Sequence, residues 1–151
     1  MGSTSPGGWV TRWIRLLRDR LRPARILCGD WTRTGDSLST TVELGTVAIL
    51  LDPPYGAEAG RCEGLYGYDG LTIAADVREF CKVWGAVQDV RIVLCGMIGE
   101  GHEILEQEYG WRSVGWNNNR GYANRTLAGR ERAQRERLWL SPYCLPVPSS
   151  T

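Results

Sequence analysis

The 151-residue chain sets 18 Lys and Arg against 17 Asp and Glu, a net charge of +1, so its overall charge points to no polyanionic partner. Its length suits one domain with a sizeable core, and no apolar run approaches membrane-spanning length. Five scattered cysteines with no Cys-x-x-Cys pair, and His102 as the only histidine, exclude a zinc site of familiar spacing and predict a reducing, cytoplasmic setting.

Residues 1–8 are rich in Gly, Ser and Pro and predict a disordered start. They have neither the basic-then-apolar layout of a signal peptide nor a myristoylation pattern, because Pro6 stands where Ser or Thr is required. From Trp9 the spacing predicts a helix, with Trp9, Trp13, Leu16, Leu17 and Leu21 on one face and Arg12, Arg15, Arg18 and Arg22 over the others. Pro23 stops it, and its arginine-bearing side reads as solvated rather than nucleic-acid-binding. Arg25-Ile26-Leu27-Cys28 then predicts a short strand closed by Gly29-Asp30-Trp31. Cys28, like Cys95 further on, is expected to act as a small hydrophobe in an apolar run. Residues 32–45 are polar turn formers.

The chain is organised around Val47-Ala48-Ile49-Leu50-Leu51-Asp52-Pro53-Pro54-Tyr55-Gly56. A short apolar run without polar alternation predicts a strand buried on both faces. The prolines end it, since neither can donate to a ladder and each fixes φ. An ionisable carboxylate therefore stands at the carboxyl end of a strand, the rim where open α/β sheets bind ligands.

Ala57–Gly70 is a glycine-rich connection containing Tyr66, Tyr68 and Asp69. A helix is predicted over 72–87, with Ile73, Val77, Phe80, Cys81 and Trp84 on one face and Asp69 or Thr72 as its cap. Arg91-Ile92-Val93-Leu94-Cys95 predicts another buried strand. The glycines at 96, 99 and 101 are in the wrong order for a dinucleotide fingerprint and read as a turn, and His102-Glu103 lacks the second histidine of a zinc peptidase. A short helix near 103–108 leads to an alternating strand over 111–116. Then comes a polar, arginine-rich loop containing Arg120, Arg125, Arg130 and Arg132. A return strand over 135–142 completes an antiparallel hairpin at the sheet edge. The loop suits phosphate contacts and equally a solvated connection.

Asp52-Pro53-Pro54-Tyr55 after a buried strand resembles the signature of the adenine-N6 DNA methyltransferases, which use S-adenosylmethionine. From Trp9 to Cys144 the chain looks like the carboxy-terminal part of the phage and bacterial members. Cys28-Gly29-Asp30-Trp31, Leu94-Cys95-Gly96 and Arg135-Glu136-Arg137 through Ser141-Pro142-Tyr143-Cys144 carry the likeness in the same order. The resemblance implies an α/β, Rossmann-like methyltransferase sheet ending in an antiparallel hairpin. It implies one catalytic domain over 9–145 with a tail at 146–151, working in the cytoplasm of a bacterial or phage-infected cell.

In that family the carboxylate at the position of Asp52 and the carbonyl at Pro53 accept hydrogen bonds from the adenine amine, Pro54 stiffens the loop, and Tyr55 stacks on the flipped base. Asp30 would touch the adenine of the cofactor with Trp31 as a wall, although Gly-Asp followed by a packed tryptophan is equally a plain turn. Residues 57–70 would form the mobile loop over the base, and double-stranded DNA would be the substrate. The family's upstream strand and glycine-rich turn, which cradle the methionine half of the cofactor, have no counterpart before Asp30. The sheet is therefore expected to lack its first strands, leaving the Asp52 strand with an open edge. The cofactor half would come from a second chain. An inactive methylase that binds DNA or a partner subunit is the alternative expectation.

Overall fold

A computed structural model describes residues 6–24, 28–33, 38, 42–43, 45–54, 73–115 and 127–146. The chain forms two compact units, residues 1–33 and 34–151.

The first unit holds helix α1, Pro6–Leu21. It begins three residues before the expected Trp9, so residues 6–8 are helical, a correction to the disordered start. Proline is well suited to a first helical turn, where its missing N–H has no partner to lose and its φ is already set. The strand expected over Arg25–Cys28 is described only at its end: residues 25–27 lie outside the described residues. Cys28, Gly29 and Asp30 are exposed and not in a strand. Cys28 is thus no buried hydrophobe.

Among its described residues the second unit is an α/β structure with an open, mixed four-stranded sheet. In chain order it contains β1 (Val47–Leu51), α2 (Ile73–Trp84), β2 (Val90–Met97), α3 (Glu103–Tyr109), β3 (Arg112–Gly115), α4 (Leu127–Arg135) and β4 (Glu136–Leu140). The sheet order is β1-β2-β4-β3. β1 and β2 run parallel, Val47 beside Val90 through Leu51 beside Leu94, as the helical crossover α2 between them requires. β4 enters antiparallel between β2 and β3, giving the antiparallel hairpin expected from the sequence.

Along β2 the burial alternates from Val90 to Gly96, and Met97 at its end is buried as well. Val90, Ile92, Leu94 and Met97 of β2 are buried with Trp139 and Leu140 of β4, Val77 and Cys81 of α2, and Leu105 of α3. Each such side chain contributes about 1.5–3 kcal/mol over leaving it in water. The Cys81 thiol is pushed up to about 12 by burial, so it packs as an uncharged group. Gly110 ends α3 in the left-handed region, φ 69°, where its N–H reaches the Leu105 carbonyl; a side chain there would be strained.

β4 is extended by a side chain. Ser141 donates its N–H to the Ile92 carbonyl at 2.9 Å, and the Ile92 N–H donates to Ser141 Oγ at 2.9 Å. The Cys144 thiol reaches the same Ile92 carbonyl at 3.4 Å. The Ser141–Cys144 segment, singled out in the sequence for its likeness, thus closes the β2–β4 ladder.

Two further expectations are corrected. β1 is not buried on both faces: Val47, Ile49 and Leu51 are half-buried while Ala48 and Leu50 are exposed, Leu50 to 70 %. Among the described residues β1 is an edge strand with β2 as its one neighbour, so its outer backbone edge is open, and the Ala48–Leu50 face is exposed as well. Residues 127–135 are helical and not part of a loop, because Ala, Arg, Glu and Gln are good helix formers even without an apolar stripe.

Candidate functional site

Asp52 follows β1 directly and is exposed, and Pro53 and Pro54 after it are half-buried. Leu51 lies beside Leu94, so Asp52 comes level with Cys95. Cys95 in turn faces Leu138, two residues beyond Glu136 on β4. Strand parity puts Asp52, Cys95 and Glu136 on one face of the sheet, the two acids on strands whose axes lie about 10 Å apart and offset by two residues along them.

The electrostatics agree with that placement. Burial pushes the Glu136 carboxyl up, and the Asp52 charge pushes it further. The Cys95 thiol is raised by burial first, then by Asp52 and Glu136. A thiol held protonated between two acids is no nucleophile at neutral pH. The proline nitrogens at 53 and 54 carry no hydrogen, so these two residues offer carbonyl acceptors and no N–H donors. Such a surface suits a ligand that presents N–H groups.

The other expected site residues are distributed as follows. Tyr55 and residues 57–70 lie outside the described residues, as do Arg120 and Arg125 and the cap positions Asp69 and Thr72. Arg130 is exposed on α4, and Arg132 belongs to the same helix with its side chain outside the description. The neighbouring arginines are engaged by the fold itself. Arg135 donates to the Ile98 carbonyl at 2.8 Å, Arg137 to the Gln134 and Glu136 carbonyls, and Arg112 to those of Cys144 and Leu145.

In the first unit, Asp30 Oδ1 accepts the Thr32 N–H at 2.9 Å and the Thr32 hydroxyl at 2.6 Å. These bonds, the hydroxyl foremost, hold its carboxyl below the usual value. Trp31 beside it is half-buried. The geometry is that of a turn in which the acid caps its own loop.

Sequence reasoning passed over a second constellation, in the turn after β2. His102 is 1 % exposed and Glu100 6 %. Glu100 Oε2 accepts the Met97 N–H at 2.6 Å and lies 3.8 Å from His102 Nε2, too far for a hydrogen bond. Arg78 of α2 donates to the Glu100 carbonyl at 2.6 Å, and Glu103 Oε1 accepts the Gly99 N–H at 2.6 Å. Burial, helped by the Arg78 charge and opposed by Glu103, pushes His102 down to about 4. The imidazole is therefore neutral at ordinary pH, and its Nδ1 has no hydrogen-bond partner among the described residues. The sequence signal was a lone histidine among glycines and acids, set aside because no second metal ligand follows. Glu136 was missed too, since only the strand register brings it near Asp52.

No protein-family model, curated protein or solved structure matches the chain.

Proposed function

We propose that this chain carries the amine-orienting part of an adenine-N6 DNA methyltransferase. The observation that carries the proposal is the exposed Asp52 carboxylate at the carboxyl end of a parallel strand, followed at once by two prolines. The antiparallel hairpin that completes the sheet also agrees with the ending the resemblance implies.

The chemistry asked of the chain is positional. An exocyclic amine on a purine has its lone pair drawn into the ring. Asp52 accepts one of its N–H groups and the Pro53 carbonyl the other, which holds the nitrogen closer to tetrahedral and fixes the direction of its lone pair. Pro54 keeps that carbonyl in place, and Tyr55 stacks on the base. Orientation of this kind is worth several powers of ten in a direct transfer.

S-adenosylmethionine supplies the methyl group when bound. The described residues do not fit it on their own. The Met97 and Gly99 N–H groups, donors that a cofactor carboxylate could use, are already held by Glu100 and Glu103, and Asp30 is engaged by Thr32. The cofactor cradle accordingly comes from a second chain, while double-stranded DNA is the substrate.

A second reading, an inactive methylase that holds DNA or a partner subunit, is favoured by the edge position of β1. The backbone groups of Ala48 and Leu50 on its outer side would accept a further strand. Titration calorimetry with S-adenosylmethionine, together with labelled-methyl incorporation into DNA when a cradle-bearing chain is added, separates the two. The enzymatic reading expects incorporation only with both chains, and its loss in Asp52→Ala with DNA retention unchanged. Incorporation indifferent to Asp52→Ala would refute it.

A further inference from the structure

Helix α1 keeps its large apolar side chains in solvent. Trp9, Trp13, Ile14, Leu16, Leu17 and Leu21 are between 41 % and 61 % exposed. At 3.6 residues per turn these six fall within an arc of about 160°. Arg12, Arg15, Arg18 and Asp19 occupy the opposite side. Arg12 and Arg18 stand about 40° beyond the two borders of the apolar arc. Arg20 alone falls inside it, where its long stem can lie along apolar surface with the guanidinium reaching outward. The one acid of the helix, Asp19, is paired with Arg18 at 2.8 Å, so the charge it presents is positive.

We propose that α1 lies in the plane of an anionic lipid surface, its tryptophan–leucine arc in the acyl boundary and Arg12 and Arg18 at the level of the phosphates. Both faces of the helix favour this occupant over the others. A nucleic acid would satisfy the arginines and leave the apolar arc in water. A second α1 would cover the arc but bring like charges together. An anionic bilayer surface meets the two faces at once. The helix has 16 residues, about 24 Å, short of a hydrocarbon core of about 30 Å, so it lies on the bilayer and does not cross it. The inference is independent of methyl transfer.

Flotation of the full chain with phosphatidylcholine vesicles, with and without phosphatidylserine, tests it. The chain should float with the anionic vesicles and be released at 1 M salt, where screening shortens from about 10 Å at 0.1 M to about 3 Å. Trp13→Glu and Leu17→Glu, both at exposed positions, should each cut partition roughly tenfold or more with an unchanged circular dichroism spectrum and unchanged DNA retention. Flotation that ignores lipid charge, no flotation, or flotation that survives both variants overturns the proposal. So does loss of DNA retention in the variants, which assigns the face to nucleic acid. A lipid-free dimer that Leu17→Glu dissociates overturns it as well, in favour of a second copy.

Discussion

The imidazole of His102 packs edge-on against the indole of Trp139, ring centroids 5.1 Å apart and planes at 61°, over the bare backbone of Gly96. A Cβ at Gly96 would stand 2.7 Å from His102 Cδ2 and 3.1 Å from Trp139 Cζ3. Gly96→Ala should therefore cost about 1–3 kcal/mol through overpacking. Denaturant unfolding should show a lower midpoint. Added to His102→Ala, the alanine should cost less than it does alone, because the atom it strikes is gone.

The same histidine gives the fold an acid limb. Its folded value of about 4 lies below the ordinary 6.5, so between those pH values the unfolded chain binds a proton that the folded chain refuses. Stability should fall as pH drops from 6.5, and the loss should be complete below about 4, on the order of 3 kcal/mol. Arg78, Glu100 and Glu103 face the ring, and all three stay in place in His102→Gln. That variant should show a flatter midpoint-versus-pH curve across this window. An imidazole that titrates near 6.5 by NMR would contradict the prediction.

Ser141→Ala removes the acceptor of the Ile92 N–H, a donor inside the sheet. A buried donor left unpaired costs about 1–3 kcal/mol. Equilibrium unfolding checks the number, and hydrogen exchange at the Ile92 amide should quicken in the variant.

The Glu136 carboxyl should report the charge on Asp52. With Asp52→Asn, the Glu136 carboxyl should move down toward its ordinary value yet stay above it, since burial is the larger cause of its rise. Carboxyl carbon NMR across the acid range measures this. An unmoved Glu136 would mean that the two acids do not share a face.

Local patterns made part of this fold legible. Apolar residues spaced three and four apart predict the helix over 72–87, which the structure forms at 73–84, and the Arg91–Cys95 run predicts β2, which Val90, Gly96 and Met97 lengthen. Asp52 was readable because a chemical group and a chain breaker coincide there. What failed was non-local. Five consecutive apolar residues at 47–51 carry no information on how many neighbours the strand has, and the sheet leaves Ala48 and Leu50 exposed. The helix at 127–135 has no apolar period, so its propensity was hidden by its charge. Glu136 gains meaning only from the β2–β4 register, and His102 only from the glycine it packs over.

The amine-holding role of Asp52 is tested most directly without any cofactor. The affinity of the chain should be compared for a single-stranded deoxyadenosine oligonucleotide and for its counterpart built on unsubstituted purine, which lacks the exocyclic amine. Two added hydrogen bonds, one of them to a carboxylate, should favour adenine roughly tenfold or more, and Asp52→Ala should remove the larger, carboxylate share of that preference while leaving the Pro53 carbonyl bond and the salt dependence unchanged. Equal affinity for the two oligonucleotides, or a preference undiminished by Asp52→Ala, would contradict it.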